Sequence, residues 1–286
     1  MAIHMYLQAG LGNQLFMIFA LISYAFDHNV KYKIMSHYDK TMNGTKTYWN
    51  NLLAEFKNEV CEDNTQMKEY CEPQFAYNQI PHELTLNDNI LLKGFFQSYK
   101  YFEHNYDKLV EMMKLREKIQ LVKEEYKDLF QRKTIALHFR IGDYLGLQNY
   151  HCIKGPDYYA HAIRFLENDL KNRGEDIGEY DILYFSQPQD EQYINEYMKV
   201  LLNLYDSSSK YNFVKVPYEI DDWKQMLLMS LCQHFIIANS TFSWFGAYFS
   251  ESTNKIVYYP CVWFGPALHH QHDIKELCPS SWKHIK

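Results

Sequence analysis

Between Thr134 and Tyr259 the chain alternates short apolar segments with helical patterns, and that alternation leaves few folds open. The segments Thr134–Phe139, Asp181–Phe185, Asn212–Val216, His234–Ala238 and Lys255–Tyr259 are rich in β-branched and aromatic residues. Between them, Pro156–Lys171, Asp190–Leu202, Asp222–Leu231 and Ser243–Phe249 carry helical spacing. Strands apolar on both faces need cover on both, which predicts a parallel sheet between two layers of helices. Ligands of such sheets bind at the carboxyl ends of the strands, near the topological switch point. The N-terminus repeats the theme. Ile3–Gln8 reads as a strand, 9–13 as a glycine turn, and Gln14–His28 as a helix through Leu15, Phe16, Phe19, Ile22 and Phe26. A strand is expected at Val30–Met35 and another from Ile90 into a loop at Gln97, while 41–90 is polar, Asn-rich and irregular. Two helical stretches fill Tyr101–Gln131, the second strongly charged. The 286 residues suit two domains. The expected organisation is two α/β lobes, 1–131 and 132–286, with a cleft between them.

Composition narrows the function classes. Hydrophobic residues at 47% against 22% charged describe a globular chain rather than a disordered one. A net charge of −6 argues against nucleic acid as a partner. The longest unbroken apolar run, Leu15–Ile22, is far short of the ~20 residues of a membrane span. No secretory signal is recognisable at the N-terminus, so a cytoplasmic location and free thiols at Cys61, Cys71, Cys152, Cys232, Cys261 and Cys278 are expected.

Three constellations carry chemistry. In Gln8-Ala9-Gly10-Leu11-Gly12-Asn13-Gln14-Leu15, glycines between strand and helix allow a ligand close to backbone N–H groups, or simply make a tight turn. A dinucleotide fingerprint would need glycine where Leu15 stands. In His138-Phe139-Arg140-Ile141-Gly142-Asp143-Tyr144, strand periodicity puts His138 and Arg140 on one side of a strand end. There a guanidinium suits a pyrophosphate, or Arg140 and Asp143 pair to staple the turn. In Ala238-Asn239-Ser240-Thr241-Phe242-Ser243, the polar side chains exceed what one helix cap needs, which points to an anion cradle at the helix start. His269-His270-Gln271-His272 lacks the spacing of a metal tract and reads as a solvated loop. No two aspartates stand one residue apart, and the serine-hydrolase, P-loop and kinase signatures are absent.

Taken in order, 9–16, 138–144 and 238–247 resemble the motifs of the α1,2-fucosyltransferases of glycosyltransferase family 11. Leu92-Lys93-Gly94-Phe95-Phe96-Gln97-Ser98 is similar to a further family stretch, so the resemblance spans nearly the whole chain. It implies an α/β fold of GT-B type, two Rossmann-like lobes with the donor held mainly by the second and the acceptor on the side of the first. The implied activity is inverting and metal-independent: L-fucose passes from GDP-β-L-fucose, as donor substrate, to the 2-hydroxyl of a galactose-containing glycan, with no cofactor. Arg140 then neutralises the leaving pyrophosphate, and His138 helps to position it. Asn239, Ser240, Thr241 and Phe242 hold phosphate and ribose, and Asp222, or Asp221, takes the guanine amine. Gly10, Gly12 and Asn13 close over the donor, with Asn13 near the sugar. Asp143 is either a base or a brace for Arg140. The sequence departs from the family pattern at Ala9, Ile141 and Phe245, where glycine, arginine and tryptophan are usual.

Overall fold

The structure, a computed structural model, describes residues 2–37, 39–41, 44–62, 67–85, 88–205 and 210–286. It divides into two compact units, Met1–Lys118 with His272–Pro279, and Ile119–Gln271 with Ser280–Lys286.

The first unit opens with β1 (Ala2–Tyr6), α1 (Leu11–His28), β2 (Lys31–Met35), β3 (Val60–Cys61), β4 (Lys68–Cys71) and β5 (Ile90–Lys93). The strands form a parallel sheet in the order β3-β2-β1-β5-β4. Ile3 faces Ile90 and Met5 faces Leu92 across the β1–β5 pair. The apolar stripe of α1 explains its place: Leu15, Phe16, Phe19 and Ile22 are wholly buried, each contributing roughly 1.5–3 kcal/mol. Asn29 ends the helix at φ 51°, its N–H donating to the carbonyls of Ala25 and Phe26. After α2 (Tyr106–Met112), α3 (Leu115–Glu125) straddles the division.

The second unit adds β6 (Lys133–His138), α4 (Pro156–Asn172), β7 (Tyr180–Phe185), α5 (Glu191–Tyr205), β8 (Asn212–Lys215) and α6 (Asp222–Ser230). It continues with β9 (His234–Ile236), α7 (Thr241–Tyr248), β10 (Val257–Pro260), α8 (Pro266–His269) and β11 (Lys283–Ile285). All pairs are parallel, in the order β11-β10-β9-β6-β7-β8. Counted from β6, this is the doubly wound Rossmann order, and its winding reverses between β6 and β9. Both units are thus Rossmann-like α/β lobes.

The expected boundary at 131/132 differs from the division at Lys118, for stated reasons. Glu125 on α3 accepts an ion pair from Lys224 at 2.7 Å, which ties the end of that helix to the second unit. The segment 272–279 joins the first unit because the Ser98 hydroxyl donates to the Glu276 carbonyl at 2.6 Å and Lys100 pairs with the Glu276 carboxylate. No helix among the described residues is long and apolar enough to cross a membrane.

Candidate functional site

Each sheet reverses its winding at one place, and each reversal carries a motif. In the first unit the loop after β1 holds Ala9-Gly10, and the loop after β5 holds Gly94 to Gln97. Gly10 is the exposed N-cap of α1, and no side chain caps the helix end. Gly12 is buried within the first turn. Ala9 sits at φ 62°, a left-handed conformation that glycine adopts freely and alanine at a cost of about 1 kcal/mol. The side-chain amide of Gln14 donates to the carbonyls of Ala9 and Lys46, both at 2.9 Å, and holds the turn. Gln97 Nε2 donates to Asn13 Oδ1 at 2.7 Å, joining the two loops. Beneath them Glu72 accepts from the N–H groups of Phe95 and Phe96 at 2.9 and 3.0 Å, and burial pushes its carboxyl up to about 7.

In the second unit the reversal lies between β6, which ends in His138, and β9, which runs into Asn239. Side chains alternate across the strand end. Leu137, Phe139 and Ile141 join the hydrophobic core, while His138 and Arg140 point to the other side. Ile141 is therefore a core residue, packed in the same cluster as Tyr159, and offers a ligand nothing polar. Arg140 Nη2 donates to Asp143 Oδ1 at 2.7 Å, and its guanidinium lies 5.1 Å from the centre of the Tyr144 ring. The other face of that ring stacks on His151 at 4.7 Å. The Tyr144 hydroxyl donates to the Asn239 carbonyl at 3.0 Å, so the loops after β6 and β9 are locked together. Gly142 N–H donates to Asp190 Oδ1 at 2.7 Å, and the buried Asp190 carboxyl is raised by burial against the pull of the Gly142 and Ile141 N–H groups.

At the start of α7, Ser240 caps the helix by accepting from the Phe242 N–H at 3.3 Å, and Thr241 is half-buried beside it. The ring of Phe242 lies 5.6 Å from that of His138. Asn239 has a structural task at the end of β9. Its amide nitrogen donates to the carbonyls of Cys152 and Trp263 at 2.9 and 2.8 Å, because the buried side chain is what anchors those two loops to the end of β9. His138 is held neutral: burial and, second, the Arg140 charge push its pKa down to about 3. Among the described residues, His138 Nδ1, Arg140 Nε, Asp190 Oδ2 and Asn239 Oδ1 of this region are buried without a hydrogen-bond partner. An unmet buried donor or acceptor costs about 1–3 kcal/mol, so this strand end is built for a polar ligand. Among the described residues no group of three or more His, Cys, Asp or Glu side chains is placed to hold a metal ion.

A family model described as Glycosyl transferase family 11 matches residues 3–262. The chain belongs to glycosyl transferase family 11. A curated relative in this class is the Escherichia coli α1,2-colitosyltransferase, 24% identical over 98% of this chain and 97% of its own. Another is the Escherichia coli O-antigen biosynthesis glycosyltransferase WbnK, 29% identical over 64% of this chain and 58% of its own. Among solved structures the backbone resembles a mutant Arabidopsis thaliana FUT1 in complex with GDP, at TM-score 0.49 and 12% identity over 90% of this chain and 69% of that one. It also resembles the fucosyltransferase NodZ from Bradyrhizobium, at TM-score 0.48 and 12% identity over 87% and 93%.

For this family 11 glycosyltransferase, the structure gathers His138, Arg140, Asp143, Asn239, Ser240, Thr241 and Phe242 at one switch point, and Gly10, Gly12 and Asn13 at the other. Asp222 lies in the first turn of α6, where its carboxylate accepts from the Trp223 N–H at 2.8 Å. Sequence reading missed the parts played by Tyr144, His151, Asp190 and Glu72. Tyr144 lies inside a motif already singled out, whereas Asp190 and Glu72 stand in stretches with no motif.

Proposed function

We propose that the protein is an inverting, metal-independent α1,2-fucosyltransferase of the cytoplasm, using GDP-β-L-fucose and a galactose-containing glycan. The observation that carries this reading is the pair of unpartnered buried nitrogens, His138 Nδ1 and Arg140 Nε, at the end of β6. A diphosphate is the ligand that best suits them. Arg140 donates a planar fork to its oxygens, and Asp143 holds that fork until the diphosphate replaces it. His138, being neutral, orients without adding charge. Ser240, Thr241 and the N–H of Phe242 take the remaining oxygens and the ribose, Asp222 reads the guanine amine, and Asn13 orients the sugar beside the N–H groups of Gly10 and Gly12. In the reaction the bond from sugar C1 to the phosphate oxygen breaks as the acceptor 2-hydroxyl attacks C1 from the opposite face, its proton passing to the Asp143 carboxylate that the diphosphate has released. Arg140 stabilises the charge that develops on the leaving group, and preorganised stabilisation of this kind is commonly the largest contribution to catalysis.

The relative named an α1,2-colitosyltransferase favours a second reading, in which the sugar is colitose or another GDP-linked hexose and the linkage is unchanged. Thermal unfolding with GDP, UDP, ADP and NAD at equal concentration tests the nucleotide. A ligand at ~100 times its Kd adds about 2.7 kcal/mol, which moves the midpoint by several degrees. GDP alone is expected to do so, and GDP-fucose then supports transfer that Arg140→Ala abolishes while leaving the fold intact. No shift with GDP, or retained turnover in R140A, sinks the reading. A competition among GDP-sugars separates fucose from its alternatives.

A further inference from the structure

Resting on that reading of the switch point, we infer that Lys154 supplies the second positive charge of the diphosphate site. A departing diphosphate carries more than a single negative charge. Arg140 is one cation and already shares its charge with Asp143, while His138 is neutral. Lys154 lies in the connection that leaves the carboxyl end of β6, two residues before α4.

Its surroundings differ from those of the unit's ion-paired lysines; of the partly buried lysines described there, Lys255 also lacks a carboxylate but donates to the carbonyls of Ala247 and Ser250. Lys133, Lys210, Lys215, Lys224 and Lys283 of the same unit each pair with a carboxylate. Among the described residues Lys154 pairs with none, and its Nζ donates to Cys152 Sγ at 3.0 Å. An ammonium has three donors, and a half-buried one without a counter-ion is only partly compensated by a thiol. The contacts of Cys152 show how near that charge lies to the motif. Its carbonyl accepts from Asn239 Nδ2 at 2.9 Å, and its sulfur lies 3.8 Å from the same nitrogen. Asn239 is thus flanked by two cations, Arg140 through Tyr144 and Lys154 through Cys152, immediately before the Ser240 cap. A diphosphate seated at the start of α7 meets a guanidinium on one side and an ammonium on the other.

The test measures GDP and guanosine affinities by calorimetry for wild type, Lys154→Met, Lys154→Arg and Cys152→Ala, with thermal unfolding of each as a check on folding. K154M is expected to weaken GDP about tenfold, the size of one lost charge-assisted contact, and to leave guanosine within about twofold. K154R restores most of the GDP affinity, and C152A stays within about twofold of wild type. GDP affinity in K154M equal to wild type overturns the inference. So does a C152A variant as impaired as K154M, since the lysine would then act only as a partner of the thiol. If wild type itself fails to bind GDP, the reading beneath falls together with this one, which distinguishes the two failures.

Discussion

Gly94→Ala is the substitution whose cost can be worked out most fully. Gly94 follows β5 at φ 155°, a backbone conformation that side-chain-bearing residues rarely adopt. A Cβ placed there would lie 2.5 Å from both Cβ and Oε2 of Glu72, and 3.1 Å from the Phe96 ring. The carboxylate oxygen can swing away, but the Glu72 Cβ cannot, because its backbone N–H is held by the Lys93 carbonyl at 2.7 Å. Backbone strain of this kind costs of order 1–3 kcal/mol, and overpacking of a tight contact costs about 1–3 kcal/mol more. The sum, about 4 kcal/mol, is a large share of the roughly 5–15 kcal/mol that holds a domain folded. Because the two units have separate sheets and cores, urea unfolding followed by circular dichroism should resolve two transitions. The first-unit transition of G94A is expected to move to lower denaturant, with a thermal midpoint lower by roughly 15 °C, and the second to stay in place. A shift below about 1 kcal/mol would refute the reasoning, because the loop would have found another backbone path.

Two further predictions concern the same machinery. Glu72 has its carboxyl raised from 4.5 to about 7, chiefly by burial, so the folded unit holds that proton more tightly than the unfolded chain does. The stabilisation is complete below pH 4.5 and is lost as pH rises through 7; Glu72→Gln should lack this dependence, and a wild-type-minus-variant difference that is the same at pH 5 and pH 8 would contradict it. Tyr144→Phe loses the hydroxyl bond to the Asn239 carbonyl, about 1 kcal/mol, and should weaken GDP about threefold. Tyr144→Leu also removes the ring beneath Arg140 and should weaken it about tenfold, whereas wild-type affinity in the leucine variant would show that the ring does not position the guanidinium.

Much of this architecture is legible in the residues. β6, β7, β9 and β10 announce themselves because strands covered on both faces must be apolar throughout, and α1 does so because it is buried nearly all round from Leu11 to Ala25 and therefore apolar. β3, β4 and β11 leave no such trace. β3 is two residues long, β4 is the edge strand Lys-Glu-Tyr-Cys with its charges in solvent, and β11 is three residues in a polar tail. The alternation at 137–141 correctly sets His138 and Arg140 against the core side, and extended by one step it also explains Ile141. The role of Asn239 was not legible, because its partners at Cys152 and Trp263 are remote in the chain and only the closed sheet brings them together. Asp190 and Glu72 were missed for the same reason. Each is a single acid whose meaning comes from backbone N–H groups of a distant loop.

The chain leaves the second unit at Gln271, contributes 272–279 to the first, and returns for β11. No single cut therefore yields two complete halves. A fragment ending at Lys118 would strand Ser98 and Lys100 without Glu276, and the complementary fragment would carry that segment with nothing to receive it. Recombination between relatives at the mid-chain boundary would exchange the large blocks and part this strap from the unit it packs against. Chimeras should accordingly function best when 272–279 comes from the same parent as the N-terminal portion.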